Sequence, residues 1–174
     1  MQQLQGNTIH LRALESGDID FLYTIENDPL FWEVSSTLAP YSRQLLEQYI
    51  ANAHLDIYTA KQLRLVIVKK ESKQLVGMID LFDFNPQHRR AGIGILITKD
   101  EQGKGYASEA LALVISYCFD HLHLHQIYAN ITSDNEASLA LFKKFDFQQV
   151  GIKKDWIQSK NVFKDEVLFQ RLKK

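Results

Sequence analysis

The chain has almost no cysteine, no long apolar run and no excess of either charge. Each absence narrows what it can be. One cysteine among 174 residues, Cys118, rules out an intrachain disulfide. It keeps helical spacing with Ala107, Ala110, Leu111 and Val114, the pattern of a small buried hydrophobe rather than a reactive thiol. No apolar run reaches the roughly 20 residues that span a bilayer, and the polar start Met1-Gln2-Gln3 is unlike a secretory leader. A soluble protein of the cytoplasm, away from membranes, is the expectation. The 20 lysines and arginines against 21 acidic residues give a formal net charge of −1. A nucleic-acid binder usually shows a basic face, so this balance argues against one. No repeat, low-complexity tract or linker breaks the sequence.

What is present is an ordinary core composition, 45% hydrophobic, and enough length for one domain over residues 1–174. Ile9–Leu14 alternates and reads as a strand. Ser16 is placed to cap a helix running to about Asn27. Residues 28–41, with Pro29 and Pro40, read as irregular. Ser42 is placed to cap a second helix carrying Leu45, Leu46, Tyr49, Ile50 and Ala53. Leu63–Val68 and Leu75–Phe84 read as strands about the turn Lys70-Glu71-Ser72-Lys73. Ala91–Ile97 is a further strand, and Gln126–Thr132 alternates again. Ser133 and Glu136 have capping-box spacing for a helix ending near Phe145. Phe147–Ile157 and Asn161–Leu172 read as closing strands around Gln158-Ser159-Lys160. Strands and helices alternate without regular βαβ repetition. That pattern predicts an α/β fold of the α+β kind, a mixed, mostly antiparallel sheet with helices on both faces.

The most informative stretch is Gln102-Gly103-Lys104-Gly105-Tyr106-Ala107, between the apolar strand Gly92–Ile97 and an amphipathic helix. The first N–H groups of a helix have no internal partner, and the helix dipole favours negative charge there. Gly103 and Gly105 let the backbone approach a phosphate, and Lys104 adds a cation. Neither of the common nucleotide motifs, G-x-x-x-x-G-K-[ST] or G-x-G-x-x-G, is present. The pattern Gln102-x-x-Gly105-x-Ala107 instead resembles the pyrophosphate loop of the GNAT superfamily of acetyl-coenzyme A-dependent N-acetyltransferases. His88–Ile97 resembles that family's central strand. Asn135-Glu136-Ala137-Ser138 followed by Phe142-Lys143-Lys144-Phe145-Asp146-Phe147 resembles its late helix. His10-Leu11-Arg12-Ala13-Leu14 is similar to the opening of the branch with ribosomal-protein N-terminal acetyltransferases and spermidine acetyltransferases.

The resemblance implies a central strand splayed from its neighbour, with acetyl-CoA as acetyl donor and no metal. It implies backbone contacts to the pantetheine arm from Ile95, Leu96 and Ile97, pyrophosphate contacts from residues 102–107, and a coenzyme contact from Asn135. Gly92 and Gly94 also fit a β-bulge. Ser138 matches the serine proposed in the ribosomal-protein branch to protonate the departing thiolate. Phe142 stands where many members carry a tyrosine as general acid, and a phenyl ring donates no proton; Ser138, water or another hydroxyl such as Tyr128 would substitute. Asp80 and Asp83 fall where spermidine acetyltransferases carry glutamates and are the candidate bases. Three apart on a regular strand, they face opposite sides, so at most one points at substrate. Glu26 and Glu33 flank the loop that forms the substrate wall in this branch. His121-x-His123-x-His125 has alternate imidazoles but no evident further ligand, and reads as a solvated loop. Arg89-Arg90 is given a structural reading.

These residues predict an N-acetyltransferase acting on a primary amine, either a polyamine-like small amine or a protein N-terminus. The alternative, favoured by Phe142, is a non-catalytic acyl-CoA-binding or sensing module. The superfamily often dimerises, so a homodimer is the expected assembly.

Overall fold

The computed structural model describes residues 4–35 and 37–174; of residues 33–35 only the helical backbone is described. Seven strands form one sheet: β1 (Ile9–Ala13), β2 (Leu63–Lys69), β3 (Leu75–Asn85), β4 (Arg90–Ile97), β5 (Gln126–Thr132), β6 (Gln148–Ser159) and β7 (Val162–Leu172). Their spatial order is β1-β2-β3-β4-β5-β7-β6, and every neighbouring pair is antiparallel except β4 with β5. That parallel pair is bridged by α5 (Tyr106–Ser116), as a parallel connection requires. The expected mixed sheet is therefore present.

Both faces are covered, which is why β2 reads as a nearly continuous apolar run. Leu65 and Ile67 point into a core shared with α5, while Val66 and Val68 point into a second core. The second core packs under α1 (Ile19–Glu26) and α3 (Arg43–Ala51), chiefly through Leu22, Ile25 and Leu46. The helix α6 (Glu136–Lys144) lies with α5 on the larger core, where Phe142 and Phe147 meet edge to face at 4.9 Å. Cys118 is fully buried behind α5, and burial pushes its thiol pKa up, as expected for an inert thiol.

Several local expectations are corrected. Ser16 does not cap α1. Glu15 is the N-cap of a 3₁₀ turn, Ser16–Asp18, closed by a reciprocal Glu15–Asp18 capping box, and α1 starts after it. The buried Asp18 also takes two hydrogen bonds from Arg12, at 2.6 and 2.8 Å. Residues 28–41 are not all irregular, because Pro29 opens α2 (Pro29–Ser35) from the position that tolerates a missing N–H. A short helix, α4 (Ile57–Ala60), was not anticipated; Asp56 caps it by accepting from Thr59 N. Ser133 is not the cap of α6 either. Asn135 is, its Oδ1 accepting from Ser138 N at 3.1 Å. Ser42 does cap α3, accepting from Leu45 N at 3.2 Å. The bulge expected at Gly92 and Gly94 lies instead on β3, where the register slips between Phe82 and Asn85 and Asp83 takes a left-handed φ of 49°. Gly92 has another reason to be glycine: a Cβ there would overlap the Phe82 ring.

Candidate active site

The described pairing of β4 with β5 covers Arg90, Ala91 and Gly92. Beyond Gly92 a cavity of about 400 Å³ opens between the strands, lined on one side by Ile93, Gly94 and Ile95 and on the other by Ala129 to Thr132. Successive residues of a strand face opposite sides. Because both parities of each strand line this space, the cavity passes through the sheet. On the α6 side it meets Asn135, Ser138 and Phe142; on the α1 and α3 side it meets Tyr49, Arg64 and Asp80. This is the splayed central pair that the resemblance implied.

At the C-terminal end of β4 the chain turns through Lys99–Glu101 into the glycine loop. Gln102 Nε2 donates to the Ile97 carbonyl at 3.0 Å, so this side chain ties the loop to the strand it leaves. Gly103 and Gly105 have φ of 76° and 88°, the region that favours glycine, and no atom lies within 4 Å of where their Cβ atoms would stand. Gly105 is the N-cap of α5, and having no side chain it leaves the first N–H groups of that helix to an outside acceptor. Lys104 does not stand alone. Its ammonium and that of Lys69 both bond to the buried Glu101 carboxylate, at 3.2 and 2.8 Å. Their hydrogen bonds hold the Glu101 carboxyl below the usual range, against a smaller opposing effect of burial. Lys69 also sits 5.5 Å from the Tyr106 ring centroid. Sequence reasoning missed Glu101 and Lys69. The signal for Glu101 was its place next to Gln102; Lys69 arrives from β2 and left none.

On the other sheet face one guanidinium organises the wall. Arg64 donates through Nε and Nη2 to the two oxygens of Asp80, at 2.8 and 2.9 Å, and through Nη1 to Glu26. The Tyr49 ring lies 5.4 Å from it. Burial disfavours the Arg64 charge, yet Asp80, Tyr49 and Glu26 outweigh it and raise its pKa. Arg64 was missed too, although a charge inside the apolar run Leu63–Val68 is a readable signal of a buried partner. Arg64 and Asp80 also line a second cavity of about 80 Å³, with Glu26 and Leu96.

The candidate residues thus divide. Ile95, Asn135, Ser138 and Asp80 line the main cavity, and Glu26 and Leu96 line the smaller one; Ile97 lines neither. Asp83 is exposed, accepts from Tyr128 Oη at 3.2 Å and does not line the cavity. Burial and then the Asp83 charge push the Tyr128 pKa to about 12. The Glu33 side chain lies outside the described residues. Arg89 supports the chain locally, donating twice to the His123 carbonyl at 2.8 and 2.7 Å.

A glycine loop at a helix start, beside a gap between two parallel strands, defines a fold that receives an acyl-coenzyme A. The sequence profile of the acetyltransferase (GNAT) domain matches residues 8–148. The chain belongs to that family and is an acetyl-CoA-dependent N-acetyltransferase. It is 30% identical over 151 residues to spermidine N(1)-acetyltransferase of Vibrio cholerae serotype O1, covering 84% of this chain and 82% of that one. The crystal structure of the Vibrio cholerae spermidine N-acetyltransferase in complex with CoA and spermine superimposes with a TM-score of 0.85 at 26% identity, over 95% of each chain. A dodecameric structure of the Vibrio cholerae enzyme gives 0.80 at 28% identity, over 95% of this chain and 94% of that one. The open space at Gly103 and Gly105 and the α5 N-terminus fit a pyrophosphate, and the gap beside Ile93–Ile95 fits an extended arm.

Proposed function

We propose that this enzyme acetylates a small polyamine-like amine whose further ammonium groups are held on the α1 and α3 face of the sheet. The observation that carries this reading is the convergence of Glu26 and Asp80 on that wall, and the similarity to spermidine acetyltransferases supports it. When bound, acetyl-CoA supplies an acyl group already activated as a thioester. The protein must then present a neutral amine and return a proton to the departing sulfur. We assign the second task to Ser138. Its backbone N–H is fixed by Asn135, and it lines the cavity on the face where the coenzyme arm enters. Of the other cavity hydroxyls, Tyr49 lies on the opposite, α1 and α3 face with its ring beside Arg64, and Thr132 is engaged with Asp134. Both Asp80 oxygens accept hydrogen bonds from Arg64, so Asp80 adds its charge to the wall beside Glu26 and is not assigned as the base. The amine loses its proton to water in the cavity.

The assembly is proposed to be a homo-oligomer, supported by the dodecameric relative and by the apolar outer edge of the sheet. The cytoplasm remains the proposed location, because acetyl-CoA is an intracellular metabolite; among the described residues no helix is long and apolar enough to cross a membrane.

The test is thiol release from acetyl-CoA with spermidine and, beside it, a short peptide with one terminal amine. The Glu26→Gln/Asp80→Asn variant should raise the Michaelis constant for spermidine by roughly tenfold or more. It should leave coenzyme A affinity nearly unchanged and affect the peptide far less. Equal loss on both acceptors, or no turnover of spermidine by the unmodified protein, removes the polyamine reading. Turnover of the peptide alone would support a protein N-terminus.

A further inference from the structure

Among the described residues the acceptor wall carries two carboxylates, but it does not offer two. Glu26 ends α1, Asp80 sits on β3, and the Arg64 guanidinium fills the space between them. The fork shape of that group matches Asp80 bidentately while its remaining nitrogen reaches Glu26. Its side chain is 24% exposed, against 10% for Glu26. An arginine stays charged throughout the physiological range, and here the Tyr49 ring covers it. The third cavity carboxylate, Glu166, is likewise matched, by Lys153 at 2.7 Å. Among the described residues, two carboxylates around one guanidinium leave one net negative charge on the wall, and Glu166 adds none. Arg64 and Asp80 line both the large and the small cavity, so the pair is also the partition between them.

We infer that Arg64 is the residue that sets how many charges the acceptor carries. Its guanidinium occupies the position between Glu26 and Asp80 that a second ammonium of the acceptor would otherwise take. The site then rewards a single ammonium besides the reacting amine, and the further ammonium groups of a triamine or tetraamine add little. This rests on the small-amine reading above and narrows it. Arg64 need not touch the reacting atoms; it fixes the charge that the acceptor must match.

The experiment is a charge series of butylamine, butane-1,4-diamine, spermidine and spermine. The readouts are kcat/KM in acetyl transfer and, in parallel, calorimetric binding with coenzyme A present. For the unmodified enzyme kcat/KM should rise about fivefold from butylamine to the diamine, then change less than about twofold through spermine. In Arg64→Met the two carboxylates are released, and kcat/KM should go on climbing, by about fivefold or more from diamine to spermidine. In Glu26→Gln the remaining Asp80 charge is matched by Arg64, so the first step should shrink to under about twofold. Coenzyme A affinity reports that each variant is folded. If Arg64→Met does not fold, Glu26→Gln decides the matter by itself. A steady climb to spermine in the unmodified enzyme, or unmoved slopes in folded variants, overturns the role of Arg64 while leaving an amine acceptor in place. No turnover and no binding of any amine overturns both.

Discussion

At the scale of single residues, the chemistry turns on which polar groups already have a partner. Phe142, where a tyrosine would be the family's general acid, is 2% exposed and packed edge to face on Phe147, so it is part of the core. Tyr128 is engaged by Asp83, and its pKa of about 12 marks a hydroxyl reluctant to release a proton. That leaves Ser138. Ser138→Ala should lower kcat on the order of a hundredfold, with little change in coenzyme affinity, whereas Tyr128→Phe should change kcat less than about threefold. Steady-state kinetics with calorimetric titration of coenzyme A separates the two. A small loss in Ser138→Ala would assign the proton to water. Asp80 lines the cavity, but the role proposed for it depends on Arg64, sixteen residues away in the chain.

At the scale of elements, two junctions carry the predictions for coenzyme binding and for stability. The first is the loop into α5. Gly105 has φ of 88°, and a branched side chain there is strained by about 1–2 kcal/mol even with empty space around it. Gly105→Val should raise the coenzyme A dissociation constant by roughly tenfold or more, through that strain and through a Cβ standing where phosphate must approach. Isothermal titration reads this directly, and unchanged affinity in a folded variant would remove the loop from the coenzyme site. The second junction joins β1 to α1. Burial disfavours the charge on Asp18, but hydrogen bonds from Arg12 and from the Glu15 N–H outweigh it and lower its pKa. A carboxyl depressed in the folded state stabilises above its unfolded value and loses that contribution as pH falls through the folded one. Asp18→Asn should therefore cost about 2–3 kcal/mol at pH 7. The gap from the unmodified protein should narrow as pH drops below about 4. Denaturant melts at a series of pH values check it, and a gap independent of pH would rule out the charge as its source.

At the scale of the whole molecule, β6 is one of the two edges of the sheet, opposite β1, and is paired on one side with β7. Trp156, Val162 and Phe163 on this hairpin are each 59% exposed. An edge with this much apolar surface invites pairing with another chain. The protein should sediment as a homo-oligomer, and Trp156→Glu should shift it toward smaller species while α-helical circular dichroism is kept. A monomer at every concentration would leave the patch without a partner in another copy.

Local chemistry determined much of this protein from its sequence. The strand periods, the Ser42 cap and the glycine loop between β4 and α5 depend on neighbours within a few residues, so they were legible. The two faces of the sheet could be anticipated as well, because period-two and period-3.6 patterns say which side chains go inward. The true cap of α6 and the capping box at Glu15 were missed because a neighbouring serine offered the same local signal, and α2 was missed because Pro29 was read as a breaker and not as the opening residue of a helix. Only the tertiary structure brought Glu26, Arg64 and Asp80 into one wall, from α1, β2 and β3. Only it joined Lys69 to Glu101 beside the loop. Ion pairing across strands depends on register and on which face each residue takes. A sequence states the charges; the fold decides which of them remain for a substrate.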